Sequence, residues 1–174
     1  MITHIETDRL LLRMFEPSDD TNLFELDSNP LVHTYLGNKP ITTIDEAEHM
    51  VNYVIEQYDR NGIGRWAAIE KSSGSFIGWG GLKFVDDRTY NNRTNYYDMG
   101  YRLIPRFWGK GYATEIGKAS LQFGFNTMKL DTIYATAHKD NIASRNALTK
   151  SGMQFIEYFN EGEMCIAWYE MHKP

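Results

Sequence analysis

The sequence has few of the features that mark secreted, membrane-spanning or metal-bound proteins. Cys165 is the single cysteine among 174 residues, which excludes a disulfide framework and any multi-cysteine zinc site. No apolar run approaches the roughly 18 residues of a membrane-spanning helix, and the first residues resemble no secretory signal. No dense Lys/Arg run is present to form a nucleic-acid-binding stripe. We therefore expect a protein of the reducing cytoplasm, with neither a membrane nor a nucleic acid among its partners.

Linkers are also missing. The five prolines are scattered, and no repeat, low-complexity tract or Pro/Gly/Ser-rich stretch divides the chain. A length of 174 residues suits one domain, and an aromatic content of 14% argues against disorder. We expect residues 1–174 to form a single domain, as a monomer or a homodimer.

The charge is distributed unevenly along the chain. The net charge is −5, but residues 1–100 hold nine basic against sixteen acidic residues, a net −7. Residues 101–150 hold eight basic against three acidic residues, a net +5. A basic segment within an acidic protein predicts a site for an anionic ligand in that segment.

Hydrophobic periodicity predicts a mixed α/β sheet with helices on its faces. The clearest helix begins at a capping box, Thr43 with Glu46, and ends at Gly62. The predicted order of elements is β-α-α-β-β-β-α-β-α-β-β. Strands are expected near residues 10–15, 65–70, 75–85, 96–104, 132–137, 153–159 and 164–171, and helices from residue 17 and near 44–61, 111–125 and 142–150.

The most informative segment, residues 105–114, follows the predicted strand 96–104. It reads PRFWGKGYAT and places two glycines, Gly109 and Gly111, one residue apart at the start of a helix. Glycine lets the backbone approach a ligand closely, and unpaired amides at a helix N-terminus bind phosphate. Arg102 and two basic residues within the segment add positive charge. The spacing fits neither the dinucleotide fingerprint nor the P-loop, and a plain turn with a basic surface stays open on spacing alone.

Four segments resemble the GNAT acetyltransferases, in order and over nearly the whole chain. Residues 106–111, R-x-x-G-x-G, resemble the pyrophosphate loop of that family, and residues 99–104 resemble the strand before it. Residues 141–153 resemble the family's N-x-A-S…K-x-G-F segment. Residues 7–13, T-x-R-L-x-L-R, resemble the opening of the ribosomal-protein N-terminal acetyltransferase branch, the Rim-type enzymes.

The resemblance implies a three-layer α/β fold. Its sheet would be twisted, mixed and mostly antiparallel, with six or seven strands, about four flanking helices and a splay between strands four and five. The implied activity is transfer of an acetyl group from acetyl-coenzyme A directly to a primary amine, either a protein N-terminus or a small molecule. Acetyl-coenzyme A would be the co-substrate, and no metal is expected. The alternative is a non-catalytic acyl-coenzyme A-binding module, because Leu148 stands where many family members have a tyrosine acid.

The resemblance also implies the coenzyme-binding residues. The pyrophosphate would lie on the loop of residues 106–111, called the glycine loop below. The pantetheine arm would pair with the strand end, and Asn141 would hydrogen-bond that arm. The implied residues are Leu103, Ile104, Arg106, Trp108, Gly109, Lys110, Gly111, Ala113, Thr114, Asn141 and Ser144.

Catalysis needs a base for the ammonium and a proton for the leaving thiolate. Asp98, just before Gly100 on the strand that leads into the glycine loop, is our first candidate base, followed by Glu70 and then His138. Ser144 is the candidate acid in place of the missing tyrosine. Each of the four could instead be an ordinary surface, loop or helix side chain. The acidic first hundred residues suit a cationic acceptor.

Overall fold

Residues 3–174 are described by a computed structural model. Four α-helices and eight strands make up its regular structure. The strands are β1 His4–Glu6, β2 Leu10–Arg13, β3 Trp66–Glu70, β4 Phe76–Val85, β5 Tyr96–Leu103, β6 Thr132–His138, β7 Gln154–Glu161 and β8 Met164–His172. The helices are α1 Asp20–Asp27, α2 Ile44–Asn61, α3 Tyr112–Asn126 and α4 Ile142–Ser151.

The element order agrees with the sequence prediction, with one added strand. The three-residue β1 was not predicted, so the sheet has eight strands and not six or seven. The capping box is confirmed, because Thr43 Oγ1 accepts from the Glu46 amide and the Glu46 carboxylate accepts from the Thr43 amide at 2.9 Å. Helix α2 ends at Gly62, whose φ of 70° lies in the left-handed region that favours glycine.

The sheet opens at its centre. The strand order is β1-β2-β3-β4-β5-β6-β8-β7, and every neighbouring pair is antiparallel except β5 with β6. Those two parallel strands share a single register pair, Asp98 with Tyr134, and then separate. This is the expected splay, which lies between the fifth and sixth strands because β1 shifts the numbering.

Side-chain alternation on β4 separates two helical layers. Gly80 faces α3, since a Cβ built there would lie 2.2 Å from Ile116 Cγ2, so α3 packs directly on the strand. The preceding residue, Trp79, faces the other side and lines a cavity with Tyr53 of α2. Helices α1 and α2 contact each other, as do α3 and α4. The open centre of the sheet therefore lies between two separate pairs of helices.

The capping box gives a stability prediction. Thr43→Ala removes the oxygen that accepts the Glu46 amide, and we expect the free energy of unfolding to fall by about 1 kcal/mol. Thr43→Ser keeps that oxygen and should stay within a few tenths of the wild-type value. Urea denaturation measures both variants, and equal stability of Ala and wild type would show that the cap contributes nothing.

Candidate functional site

The glycine loop forms an exposed cluster of backbone amides. After β5, a 3-10 turn at Pro105–Phe107 leads to Gly109 and Gly111, with φ of 71° and 82°. Gly111 is the N-cap of α3, and no side chain of the described residues caps that helix. The first amides of α3 therefore have no acceptor within the helix or from a side chain. A Cβ on Gly109 would meet no atom within 4 Å, so the loop faces open space. This arrangement suits an anionic group.

The N-terminal motif of the sequence holds this loop in place. Arg9 Nη1 donates to the Lys110 carbonyl at 2.9 Å, and Arg9 Nε donates to the Glu115 carboxylate at 2.7 Å. Thr7 Oγ1 donates to the same carboxylate at 2.6 Å. Burial acts to raise the pKa of Glu115, but the hydrogen bonds from Thr7 and Arg9 outweigh it and lower that pKa. The segment that resembled the Rim-type opening is therefore the support of the glycine loop.

Two basic side chains flank the loop, but the contacts of both are made outside its cluster of backbone amides. Arg106 forms an ion pair with Glu25 of α1, and both side chains are about half exposed. Lys110 is exposed, with Nζ 5.3 Å from the ring centroid of Phe107. Trp108 lies across the strand end, because its indole N–H donates to the Leu103 carbonyl at 2.7 Å.

The edge of β5 that faces β6 is open beyond the Asp98–Tyr134 pair. The Ile104 amide donates to the Ile77 carbonyl at 2.9 Å, on the β4 side. Successive residues of a strand present their backbone groups to opposite edges, so Tyr101 and Leu103 turn theirs toward the opening. The amide of Ile104 is thus engaged elsewhere, and the Leu103 carbonyl already accepts from Trp108. The backbone left for an added strand-like ligand is that of Tyr101 and the amide of Leu103.

On the α4 side of the opening, Asn141 and Ser144 form one hydrogen-bonded unit with Tyr101. Asn141 Oδ1 accepts from the Ser144 amide at 3.1 Å and caps α4. The Tyr101 hydroxyl donates to the Ser144 carbonyl at 2.9 Å and lies 3.2 Å from Ser144 Oγ. Burial raises the pKa of Tyr101 to about 12, so the phenol keeps its proton at neutral pH. Sequence reasoning missed Tyr101, although its position in the strand before the glycine loop was visible.

Asp98 lies on the opposite face of β5. Its carboxylate pairs with Arg65, and the two side chains are 18% and 12% exposed. Arg65 Nη1 also donates to the carbonyls of Gly81 at 2.5 Å and Asp98 at 2.6 Å. A Cβ on Gly100 would collide with this guanidinium, so the glycine makes room for it. No sequence motif pointed to Arg65, which precedes β3 and pairs with a residue 33 positions away.

The other candidate bases lie apart from Asp98. Glu70 ends β3 beside the glycine loop, where it accepts hydrogen bonds from Ser73 and Tyr112. Those bonds, the one from Ser73 first, lower the pKa of Glu70. His138 ends β6 with its ring 5.4 Å from that of Tyr35 in the α1–α2 connection. The structure therefore does not bring the three candidates together.

A cavity of about 310 Å³ lies between α2 and the Asp98 face of β4 and β5. Asp98, Trp79 and Arg102 line it, and so does Thr136 of β6, which places the cavity next to the opening between β5 and β6. Neither Glu70 nor His138 is among its lining residues. Of the three candidate bases, Asp98 is therefore the one that lines the cavity beside the opening between β5 and β6.

Arg102 does not support the glycine loop, where the sequence had placed its charge. Its Nη1 donates to the fully buried Asp27 of α1 at 2.8 Å, and its guanidinium carbon lies 5.1 Å from the ring of Trp79. The reason is strand alternation, since Arg102 shares its face with Asp98 and not with Tyr101. The basic segment of the sequence therefore divides between two sites.

Residues 3–174 contain neither a candidate membrane span nor a candidate metal centre. None of their helices is long and apolar enough to cross a membrane. They also hold no group of three or more His, Cys, Asp or Glu side chains placed to bind a metal ion.

Comparisons with known proteins agree with this geometry. Residues 9–154 match the family model described as the acetyltransferase (GNAT) domain. The chain is 31% identical over 155 residues to the uncharacterized N-acetyltransferase YoaA of Bacillus subtilis (strain 168), covering 88% of this chain and 84% of that protein. The GNAT-family acetyltransferase from Bacillus anthracis has a TM-score of 0.81 at 25% identity, covering 98% of this chain and 99% of that one.

A Rim-type structure shares the fold. The ribosomal L7/L12 alpha-N-protein acetyltransferase RimL, solved in complex with coenzyme A, has a TM-score of 0.80 at 17% identity, covering 97% of each chain. The predicted fold, with its splayed sheet, is thereby confirmed. The chain belongs to the GNAT family of acetyltransferases, and it is an acetyl-coenzyme A-dependent N-acetyltransferase.

Proposed function

We propose that this enzyme transfers the acetyl group directly from acetyl-coenzyme A to a primary amine, with no acyl-enzyme intermediate. One observation carries the proposal. The open edge of β5 lies between the exposed amides of the glycine loop, which follows that strand, and a cavity that contains a carboxylate. We also propose that residues 1–174 are one N-acetyltransferase domain, since a single sheet connects the described residues.

The glycine loop fits the pyrophosphate of the coenzyme. The amides from Gly109 to Thr114 would hold the phosphates, with Arg106 and Lys110 supplying positive charge at the rim. A loop whose glycines have positive φ, with open space beside Gly109, leaves room for a close ligand. Trp108 would wall the start of the pantetheine arm from its position on the Leu103 carbonyl.

The pantetheine arm fits the open edge of β5. Its polar groups would pair with the backbone of Tyr101 and with the amide of Leu103 as an added strand does, a mode in which main-chain hydrogen bonds give affinity. Asn141, whose Oδ1 caps α4, has an amide nitrogen with no partner among the described side chains, and that group suits a pantetheine carbonyl. Ile104 would contribute packing and not a backbone donor.

Asp98 is the base that we propose for the ammonium of the acceptor. A Lys-like amine has a pKa of about 10.4, so nearly all of it is protonated at neutral pH. The ammonium must lose a proton before its nitrogen can attack. Asp98 Oδ2 is held by Arg65, and Oδ1 accepts no hydrogen bond from the described residues. That oxygen can take the proton directly or through water. Glu70, the second candidate, is occupied by two donors beside the loop.

The acetyl transfer itself balances without a covalent enzyme step. The amine nitrogen attacks the thioester carbonyl carbon, the carbon–sulfur bond breaks, and an amide and a free thiol result. Of the two protons lost by the ammonium, one leaves through Asp98 and the other ends on the sulfur. The Tyr101 phenol and the Ser144 hydroxyl form the proton-donating pair that we propose for the sulfur, since Leu148 is buried and has no acidic group.

Charge at the loop gives a test of coenzyme placement. Gly109→Asp would set a carboxylate against the phosphates, and like charges in contact cost several kcal/mol, so we expect more than about a hundredfold weaker coenzyme A binding. Gly109→Asn is the matched control, because asparagine tolerates positive φ similarly and carries no charge. Titration calorimetry with coenzyme A measures both. Equal affinities would show that the phosphates lie elsewhere.

The role of Asp98 gives a pH prediction. Asp98→Asn keeps an oxygen for Arg65 but cannot hold the proton, so we expect turnover at neutral pH to fall by about 100-fold or more. The loss should shrink as the pH rises toward 10, because a growing fraction of the amine is already neutral. Thiol release across pH 6–10 measures the profile, and coenzyme A affinity should be unchanged.

Glu70→Gln is the control for that profile. If Asp98 is the base, the Gln variant keeps the wild-type pH dependence. A profile that changes in Glu70→Gln and not in Asp98→Asn would reverse the assignment. Absence of thiol release with every amine of a broad panel, despite coenzyme binding, would contradict the proposed transfer itself.

A further inference from the structure

The cavity between α2 and the Asp98 face of β4 and β5, called the acceptor cavity below, contains a buried amide that no described residue hydrogen-bonds. Gln57 of α2 lines the cavity and is 1% exposed. Both of its polar atoms, Oε1 and Nε2, lack a hydrogen-bond partner among residues 3–174. An unpaired buried amide is unfavourable, so the cavity suits a ligand that offers both a donor and an acceptor to this side chain.

The charged lining of the cavity is mainly basic. Arg65, Lys83, Arg88 and Arg102 line it, against one carboxylate, that of Asp98. The composition of residues 1–100 had suggested the reverse, an acidic site for a cation. The sign differs because most acidic residues of that half lie outside the cavity lining.

Ion pairs offset part of this positive charge, since Arg102 and Lys83 pair with Asp27 and Asp87 at 2.8 Å and 3.7 Å. Neither of those carboxylates lines the cavity. Arg88 lies 4.4 Å from the ring centroid of Tyr90, and no ion pair among the described residues includes it. A polyamine would bring several positive charges toward these cations, whereas an anionic group would be attracted.

The remaining walls are apolar and largely aromatic. Trp79 and Tyr96 stand on the strands, Tyr53 and Met50 on α2, and Phe15 precedes α1. A volume of about 310 Å³ is at the lower end of small-molecule sites. The part of the acceptor that enters the cavity is therefore small, with an apolar body and few polar groups.

We propose that the acceptor is a free α-amino acid with a large apolar side chain. The inference rests on the proposed function, since it names the amine for the same transfer. The ammonium would meet Asp98 and Gln57 Oε1. The carboxylate would accept from Gln57 Nε2 and from Arg102, which gives only its Nη1 to a described partner. The side chain would pack among the aromatic walls.

The first test compares amino acids with their neutral amides. L-phenylalanine and L-methionine are assayed for thiol release against L-phenylalaninamide, L-methioninamide and spermidine. Hydrogen bonds to a charged group are the stronger kind, so we expect the acids to have kcat/KM values about 10- to 100-fold above those of their amides. The amides have less basic amines, so a larger fraction of them is unprotonated at neutral pH, and a preference for the acids would run against that advantage.

The second test removes the unpaired amide. Gln57→Met is similar in shape, and we expect KM for L-phenylalanine to rise about tenfold or more while the unfolding temperature stays unchanged or rises. Gln122→Met, at an exposed position of α3, is the matched control and should alter neither. A structural role for Gln57 would instead lower the unfolding temperature and leave KM unchanged.

The outcomes separate the two proposals. Amides or spermidine turned over as well as the acids would overturn the amino-acid assignment and leave acetyl transfer to amines intact. An unchanged KM in Gln57→Met would likewise overturn it. If coenzyme A binds but none of these amines, nor a wider panel of peptides, releases thiol, the proposed function itself fails and the inference fails with it.

Discussion

Strands β5 and β6 separate after the pair Asp98–Tyr134, and this leaves unpaired backbone at the centre of an eight-stranded sheet. A strand edge in a protein is normally paired with another strand or covered, because its backbone amides and carbonyls would otherwise lack hydrogen-bond partners. Here each strand is fully paired on its other side, β5 with β4 and β6 with β8. The opening is therefore held by the register of its neighbours and does not depend on a flexible segment.

Alternation along β5 distributes the chemistry around this opening. Asp98 and Arg102 face the acceptor cavity, while Tyr101 faces α4 and contacts Ser144. A slip of one residue in the β4–β5 pairing would exchange the two sets and move the proposed base away from the amine. The Arg65 guanidinium counters such a slip, because it bonds the carbonyls of both strands at Gly81 and Asp98. The residue that holds the carboxylate thus also fixes the register.

Local patterns were enough to predict most of the fold and the glycine loop. Helix α2 carries its own start and stop signals at Thr43 and Gly62, and the loop's glycines do require positive φ. The three-residue β1 is too short to have a period. The polar side chains of the site were harder to identify, since their roles depend on distant partners.

Three residues show why those roles could not be predicted from the sequence. Arg65 and Gln57 matter because of what they contact or fail to contact, and neither property is encoded in a neighbouring motif. Arg102 was grouped with the loop because it is close in sequence, yet alternation turned it to the other face. Net charge by segment misled in the same way, because the acidic half supplies three of the cations of the cavity.

The unpaired amide of Gln57 also bears on selectivity. A purely apolar pocket discriminates only weakly between two ligands that differ by one polar group, since neither ligand leaves a buried polar group of the protein without a partner. A pocket with a buried donor and acceptor behaves differently, because a ligand that lacks the complementary groups displaces water and leaves the amide unpaired. Discrimination then comes from the penalty on the wrong acceptor more than from affinity for the right one. In this enzyme that penalty would act in the cavity that also contains the proposed base, so an amine that does not satisfy Gln57 would also be held poorly for proton transfer to Asp98.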